Sequence, residues 1–275
     1  MAGTLYLVPT PIGNLSDVSR RALETLQSVD FIAAEDTRVT LKLLNHFELK
    51  KPLVSYYEHN RAESGPKILS RLEAGENCAL VTDAGCPAIS DPGEDLVVLC
   101  AKAGVTVSAL PGPCAAVTAL SVSGLPTGRF TFEGFLSTSK KCRREHLDSL
   151  KDERRTMIFY EAPHKLCTTL QDLCEAFGGE RRIALCRELT KLHEEILRMT
   201  LAEAVSYYET QPPRGEYVLI LEGAPVPEKT ELTLEDALAE VERRMAAGAS
   251  RKDAVKEVAK EFNFPKNTLY DAAVR

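Results

Sequence analysis

The sequence lacks the features that would mark a membrane, secreted or uniformly basic protein. No stretch approaches the roughly 18 uncharged apolar residues of a membrane-spanning helix, and no basic region precedes the short apolar run that follows Met1. We therefore expect neither a membrane span nor a signal peptide, and we expect a cytoplasmic protein. The net charge of −6 excludes a uniformly basic coat for nucleic acid but allows a local basic patch.

Metal-binding and common nucleotide-binding patterns are missing as well. No two of the eight cysteines are spaced as CxxC, and no cysteine cluster has a histidine pair nearby, so no metal site is expected. Without a secretory signal, the cysteines are interpreted as reduced and mostly buried thiols. No GxGxxG follows the first predicted strand, and GxxxxGK[ST] does not occur. NAD-type dinucleotide binding and P-loop phosphate chemistry are therefore disfavoured.

The 275 residues predict two α/β domains followed by a helical unit. Over 1–125, short apolar runs alternate with amphipathic stretches, which predicts a mostly parallel sheet. Over 126–226, consecutive strands at 183–200 predict a mixed sheet with a hairpin. The last unit is placed at 227–275: its tail over 233–275 predicts three short helices that resemble a helix-turn-helix unit, after a linker that includes Pro225, Pro227 and Glu228. The predicted strands are 5–8, 31–34, 53–56, 78–82 and 105–110 in the first domain and 130–136, 156–160, 183–187, 196–200 and 217–221 in the second.

Turns follow four of the predicted strands in the first domain, and all but the charged segment at 35–38 are rich in glycine and proline. They span residues 9–14, 35–38, 82–93 and 111–116. Each alone is compatible with ordinary turn chemistry. Because the carboxyl ends of parallel strands meet at one edge of a sheet, where open α/β sheets bind ligands, four such turns together indicate a binding site. Loops of small residues with a carboxylate can offer backbone groups to an adenine edge.

Seven ordered motifs resemble those of the tetrapyrrole-methylase-like (class III) methyltransferases. The similarity is greatest to the members that methylate the 2′-hydroxyl of a cytidine in the decoding region of 16S rRNA, and it covers essentially the whole chain. The motifs are VPTPIGNL at 8–15, AEDTR at 34–38, DAG at 83–85 with SDPG at 90–93, LPGPCA at 110–115, EGFL at 133–136, FYE at 159–161 and RELTK at 187–191.

This resemblance implies a cofactor and a partner. The methyl donor would be S-adenosylmethionine, folded into the cleft between two α/β domains, and the protein would be a homodimer that acts on 16S rRNA or the small ribosomal subunit. Cys86 stands where the D-A-G-T-P loop of the family has threonine. The exchange keeps a small residue there and predicts the loss of a hydroxyl hydrogen bond.

The resemblance and the strand ends together predict the cofactor-binding residues. An aromatic face beside a sulfonium gains a cation–π attraction of roughly 0.5–2 kcal/mol, which favours Phe159 and Tyr160, although Phe159 is equally well explained as core. The backbone at Gly215, before the last strand, is a further candidate. The full predicted set is Pro11, Asp83, Ala84, Gly85, Pro87, Gly112, Ala115, Phe159, Tyr160 and Gly215.

The implied chemistry also predicts catalytic residues. A ribose hydroxyl is a weak acid, so it needs a base within reach or a group that stabilises the alkoxide. Asp36, Glu161 and Glu188 are the carboxylate candidates, and Arg38 or Lys191 would stabilise the oxyanion. No spacing rule selects among them. Asp36 and Arg38 are equally compatible with a surface ion pair worth roughly 0–1 kcal/mol.

Basic residues gather at 140–155 and in the helical tail. A bare charge run is often only the solvated face of a helix, but an acidic protein that acts on RNA needs local positive charge to meet phosphates. The residues predicted to bind RNA are Lys140, Lys141, Arg143, Arg144, Arg251, Lys252 and Lys266.

Two other functions are compatible with the sequence. A tetrapyrrole-precursor methylase would share the fold, but such enzymes usually carry G-x-G-P-G after the first strand, where this chain has PTPIGN at 9–14. The basic helical tail would also have no use there. A protein that binds the cofactor and RNA without catalysis is the second alternative, and the set of charged motifs argues against it.

Overall fold

The computed structural model describes residues 1–225, 233–262 and 264–274. The chain forms two compact units, Met1–Ala224 and Pro225–Arg275. The first unit holds two five-stranded sheets. The predicted linker residues Pro227 and Glu228, and the proposed boundary between 226 and 227, lie outside the described residues. In the described part of the chain, no helix combines the length and apolarity needed to cross a membrane.

The first sheet is parallel and agrees with the sequence-based expectation. Its four pairings are all parallel, and each predicted strand end lies within one residue of the observed one. The central strand and one of its two neighbours are buried along their whole length, as parallel strands covered on both faces should be. In chain order the strands are β1 (Thr4–Leu7), β2 (Phe31–Ala34), β3 (Leu53–Ser55), β4 (Cys78–Val81) and β5 (Thr106–Ala109), and in space they lie in the order β3-β2-β4-β1-β5.

Helices cover both faces of this sheet. One face packs against Ile68 and Leu96, and the other against Leu26 and Leu44. Fully burying one such side chain contributes about 1.5–3 kcal/mol, so these faces hold the helices in place. The helices are α1 (Arg20–Ser28), α2 (Thr37–His46), α3 (Arg61–Glu73) and α4 (Glu94–Lys102).

The second sheet is mixed, which confirms the predicted hairpin. The last two strands before residue 200 pair antiparallel, with Arg187 opposite Glu195, so residues 188–194 form the hairpin loop. Only the first two strands are parallel to each other. The strands are β6 (Phe130–Phe135), β7 (Thr156–Glu161), β8 (Arg182–Arg187), β9 (Glu195–Thr200) and β10 (Tyr217–Leu221), in the order β6-β7-β10-β8-β9.

The helix α5 (Ala115–Val122) joins the two sheets. It leaves β5 of the first sheet, yet Ala116, Ala119 and Leu120 pack on β7, β8 and β10 of the second sheet. The other face of the second sheet is covered by α6 (Lys140–Ser149), α7 (Pro163–Phe177) and α8 (Leu201–Thr210). The turn at 111–114 therefore lies where the two sheets meet.

The second unit is a three-helix cluster, as the sequence predicts. Its helices are α9 (Leu234–Ala246), α10 (Arg251–Glu261) and α11 (Lys266–Val274). Val241, Val255, Val258 and Leu269 are almost completely buried and form a core of its own. Asn263, which belongs to the predicted turn between the last two helices, is not among the described residues.

Candidate functional site

The predicted turns converge at the carboxyl edge of the first sheet. Thr10 and Gly85 exchange both backbone hydrogen bonds, at 2.9 and 3.1 Å, which joins the loops after β1 and β4. The hydroxyl of Thr10 also donates to the carbonyl of Thr82 at 3.0 Å. The loop after β2 is attached through Thr82 Oγ1, which donates to Glu35 Oε2 at 2.6 Å. This convergence confirms the expectation that these turns share one edge.

The fourth turn, after β5, packs against the first. A Cβ atom on Gly112 would lie 2.6 Å from Pro9 Cβ, so only glycine permits this approach. The thiol of Cys86 donates to the carbonyl of Pro113 at 3.3 Å. Cys86 thus contributes a thiol hydrogen bond, weaker than a hydroxyl one, between the loops after β4 and β5.

These loops and the facing end of the second sheet enclose a cleft of about 460 Å³. Its volume lies within the roughly 300–1,000 Å³ that small-molecule sites occupy. The first-sheet wall includes Asp83, Ala84, Gly85 and Ala115, and the second-sheet wall includes Tyr160, Glu161, Glu188 and Lys191. All eight are residues singled out from the sequence, so the structure brings them together.

The cleft is strongly acidic. Its described lining contains six carboxylates and one ammonium group, that of Lys191. Burial, assisted by the charge of Glu35, raises the pKa of Asp91 to about 6. Burial also raises the pKa of Asp83, again assisted by Glu35. An acidic cleft of this kind favours a ligand that carries positive charge. Asp91 was not among the residues selected from the sequence.

Backbone strain concentrates on both walls of the cleft. Among the described residues, five non-glycine residues have positive φ, and four of these lie in two loops: Ala88 at 68° and Ser90 at 62°, and Glu188 at 51° and Thr190 at 66°. A residue in such a conformation costs of order 1–3 kcal/mol, and such residues cluster at functional sites. The side chains of Ser90 and Glu188 line the cleft, on its two opposite walls.

Lys191 is held between two carboxylates. Its Nζ lies 2.8 Å from Glu188 Oε1 and 2.9 Å from Glu216 Oε2. The hydrogen bond from Lys191 lowers the pKa of Glu188. Gly215 has a φ of 76°, and a Cβ atom there would lie 2.5 Å from Glu188 Cγ. Gly215, predicted to contact the cofactor, therefore makes room for Glu188 and does not itself line the cleft.

Glu161 is a buried carboxylate at the end of β7, with 4% of its surface exposed. It accepts hydrogen bonds from its neighbour Ala162 N at 2.8 Å and from Thr169 Oγ1 at 2.5 Å. The hydroxyl of Thr169 in turn accepts from Arg143 Nη2 at 2.8 Å. Sequence reasoning missed Thr169, whose only signal is that a threonine occupies a position on the buried face of α7.

Arg143 differs from the basic residues around it. Its side chain is 12% exposed, and its Nε donates to Asp172 Oδ2 at 2.5 Å. Both partners lie on α7, so Arg143 fastens α6 to α7. It still lines a groove between these helices, of about 1,120 Å³. The predicted RNA-binding side chains that are exposed on this groove are Lys140, Lys141 and Arg144.

Asp36 and Arg38 form an ion pair at the end of β2. Arg38 Nη2 lies 2.5 Å from Asp36 Oδ2, and 86% of the Arg38 side chain is exposed. The hydrogen bonds from Arg38 lower the pKa of Asp36 to about 2. The Asp36 side chain also caps α2, because it accepts from Arg38 N at 2.8 Å. A carboxylate with so low a pKa is a weak base near neutral pH.

The remaining predicted residues do not line the cleft. Phe159 is fully buried in the core of the second sheet beside Leu166 and Leu219, because its side chain lies on the face covered by α7. Pro87 is buried within its own loop and is not part of the cleft wall. Pro11 precedes Ile12, which does line the cleft. In the second unit, Arg251, Lys252 and Lys266 are exposed, and none of them forms an ion pair with another described residue.

Known proteins are similar to this chain in sequence and in fold. Residues 4–205 match the family model of the tetrapyrrole (corrin/porphyrin) methylases. The chain is 48% identical to ribosomal RNA small subunit methyltransferase I of Synechocystis sp. over 99% of its length and 98% of that protein. It is 49% identical to the protein of the same name from Halalkalibacterium halodurans, over 98% and 94% of the two chains. A crystal structure of uroporphyrin-III C-methyl transferase from Thermus thermophilus, complexed with S-adenyl homocysteine, has a TM-score of 0.54 at 18% identity and covers 79% of this chain and 97% of that one.

Proposed function

Because the chain belongs to the tetrapyrrole methylase family, and within it to the ribosomal RNA small subunit methyltransferase I proteins, we propose that it methylates the 2′-hydroxyl of a cytidine in the decoding region of 16S rRNA. It is an S-adenosylmethionine-dependent methyltransferase. The observation that carries the proposal is the acidic cleft between the two sheets, whose walls include residues from every motif that resembles the family.

The charge and the volume of the cleft suit S-adenosylmethionine. The cofactor carries a sulfonium, an ammonium and a carboxylate, so its net charge is positive, and the charged groups of the cleft wall are mostly carboxylates. The close approach at Gly112 and the bridge between Thr10 and Gly85 bring main-chain groups to the cleft edge, where an adenine can be bound. When bound, the cofactor would supply the methyl group carried by its sulfonium. The sulfur would then remain on the leaving group as a neutral thioether.

Two sets of residues would hold the cofactor. Asp83, Ala84 and Gly85 with Ala115 form the first-sheet wall, and Tyr160 forms part of the second. The hydroxyl of Tyr160 accepts a hydrogen bond from Ala116 N at 3.1 Å, which fixes its ring in the cleft. Its aromatic face would attract a sulfonium. Pro11, Pro87, Gly112 and Gly215 would act by shaping these loops.

The charged side chains in and beside the cleft would each have a separate role in methylation of the ribose hydroxyl. Lys191, held by Glu188, would stabilise the oxygen of the ribose as it loses its proton. Of the two carboxylates on the cleft wall, Glu161 would accept that proton, and Glu188, whose pKa is lowered by the hydrogen bond from Lys191, would orient the hydroxyl. Asp36, with its low pKa, would instead hold Arg38 toward a substrate phosphate.

The partner would be 16S rRNA within the small ribosomal subunit. Lys140, Lys141 and Arg144 on the α6/α7 groove, and Arg251, Lys252 and Lys266 in the second unit, are exposed cations that suit phosphates. We expect the protein to act as a homodimer, which light scattering after gel filtration would test.

Methyl transfer from labelled S-adenosylmethionine tests the proposal directly. Small ribosomal subunits that lack the modification are compared with naked 16S rRNA, and the product is identified by digestion to nucleosides. Label in 2′-O-methylcytidine is the expected result. Lys191→Gln should lose most activity, whereas Lys102→Gln, an exposed lysine at the end of α4, should not. Bound cofactor with no label on either RNA would contradict the proposal and favour a tetrapyrrole substrate or a non-catalytic role.

A further inference from the structure

An irregularity in β6 changes which way its aromatic side chains face. The pairing of β6 with β7 runs regularly to Phe132 opposite Ile158 and resumes with Gly134 opposite Phe159, so Glu133 is an extra residue. In a regular strand, Phe132 and Phe135 would lie on opposite faces, because they are three residues apart. The bulge puts both on one face. Their ring centroids lie 5.1 and 5.5 Å from that of Tyr160.

Gly134 makes this bulge possible and connects it to the cleft. Its φ of 62° is unfavourable for a side-chain-bearing residue. A Cβ atom there would lie 3.4 Å from Ser90 Oγ, in van der Waals contact with the loop that follows β4. The bulge is therefore packed against a cleft-forming loop, and bulges near active sites commonly serve to re-aim a side chain.

The side chain that is re-aimed is Phe135. It lines the cleft and remains 58% exposed, which is a large accessible area for a phenylalanine. Its ring is in edge-to-face contact with that of Tyr160, which is itself fixed by Ala116 N. The ring is thus supported from one side and open on the other, at a position where a planar group could stack on it.

We propose that Phe135 is a stacking residue for the nucleobase of the target nucleotide, which is splayed out of its RNA strand while its ribose is methylated. RNA-binding proteins read unpaired nucleotides largely by stacking their bases on aromatic side chains. The exposure of Phe135 suits a polymer that arrives from solvent, whereas the main-chain groups suited to the cofactor lie in the loops of the first sheet. The inference rests on the proposed function and adds a residue that selects and positions the substrate.

Substitution of Phe135 tests the inference without disturbing the core. Phe135→Ala should lower kcat/KM for the unmodified small subunit by roughly 10- to 100-fold, the effect of losing one base–aromatic stack. The Kd of S-adenosylmethionine, measured by calorimetry, and the Tm should stay close to those of the wild-type protein. Phe135→Tyr should retain activity, because it keeps the ring. Phe130→Ala is the matched control, because Phe130 lies on the same strand, is 42% exposed and is not part of the cleft wall.

Other outcomes would overturn the inference. Phe135→Ala as active as the wild-type protein would exclude a stack. A Kd for S-adenosylmethionine that rises in parallel with the loss of activity would assign the ring to the cofactor, and a change of oligomeric state would assign it to an interface. If the wild-type protein methylates no RNA, the proposed function fails together with this inference. A wild-type protein that methylates RNA beside an equally active Phe135→Ala variant removes the inference alone.

Discussion

The hydroxyl of Thr169 lies 2.5 Å from Glu161 Oε2 and donates its single proton to that carboxylate. Its oxygen simultaneously accepts from Arg143, which reaches across from α6. A carboxylate in the cleft wall is therefore connected, through one buried hydroxyl, to a guanidinium in the α6/α7 groove. Because a buried charge without partners is strongly unfavourable, this connection helps Glu161 to remain at the end of β7.

Removing that hydroxyl should weaken the fold. Thr169→Val keeps the shape of the side chain but leaves Glu161 Oε2 and Arg143 Nη2 without a partner, so the free energy of unfolding should fall by about 1–3 kcal/mol. Methyl transfer should fall as well, since Glu161 lines the cleft. Thr169→Ser keeps the hydroxyl and should recover most of both losses. Urea unfolding and initial rates measure the effects, and a valine variant as stable as the wild-type protein would show that the hydrogen bond contributes little.

Binding of S-adenosylmethionine should weaken in acid. With the pKa of Asp91 at about 6, its carboxylate is charged at neutral pH and becomes neutral as the pH falls, so a positively charged ligand loses an attraction. Calorimetric titrations between about pH 5 and pH 8 should show the Kd rising as the pH falls through 6. Asp91→Asn should bind more weakly at about pH 8 and lose this pH dependence. An unchanged pH dependence in Asp91→Asn would assign it to another group.

The Asp91 carboxylate should also lower the free energy of unfolding when it is ionised. Its pKa in the folded protein is raised above the unfolded value, so the folded state holds the proton more tightly, and ionisation opposes folding increasingly between about pH 4 and pH 6. Asp91→Asn should therefore raise the Tm at about pH 8 and have little effect at about pH 4. A stabilisation of equal size at both pH values would contradict this account.

Asp36→Asn should reduce turnover more than cofactor affinity. Asparagine can still cap α2, so the fold should persist, but the ion pair that holds Arg38 is lost. We expect the decrease in kcat to be smaller than the roughly 100-fold that removal of a general base produces. The acidic limb of the pH–rate profile should be unchanged, because Asp36, with a pKa of about 2, does not titrate there. The prediction fails if kcat and Kd both stay near the wild-type values, or if the acidic limb disappears.

The exposed cations of the second unit should contribute to RNA affinity. The triple variant Arg251→Gln, Lys252→Gln, Lys266→Gln should bind 16S rRNA more weakly and with a shallower salt dependence, by about 0.7–0.9 in slope for each phosphate that is no longer neutralised. Cofactor binding should be unaffected. Arg243→Gln is the matched control, because Arg243 already pairs with Glu240 at 2.7 Å. Unchanged RNA affinity and salt slope in the triple variant would contradict the prediction. Deleting the whole unit after Pro225 should produce a larger decrease in affinity.

The sequence predicts the sheets and the turns because these depend on local pattern. The run at 31–34 is apolar at every position, as a strand buried on both faces must be, and the structure buries each residue. The loops at 9–14 and 82–93 could be placed together because parallel strands bring their carboxyl ends to one edge. By contrast, α8 follows β9 directly with no intervening turn, and its only signal is the capping box of Thr200 and Glu203.

The features that sequence reasoning missed depend on packing between distant segments. Arg143, Lys141 and Arg144 look alike in a basic run, and only the approach of Asp172 on α7 distinguishes the buried one. The raised pKa of Asp91 requires the proximity of Glu35, which is distant in sequence. The bulge at Glu133 follows from how β6 fits against β7. None of these can be recognised from residue type or periodicity.

The reciprocal bridge between Thr10 and Gly85 makes the binding loops part of the sheet's hydrogen-bonded framework. Loops usually exchange their amide hydrogens fast and must be ordered when a ligand arrives, at an entropic cost that weakens affinity. Here the amides of Thr10 and Gly85 already donate hydrogen bonds, at 2.9 and 3.1 Å. These lengths are similar to the 2.9 Å of the backbone bond from Val8 N to Leu80 O in β4. The edge of the cleft is consequently preorganised, and the two loops lose little conformational entropy when a ligand binds there.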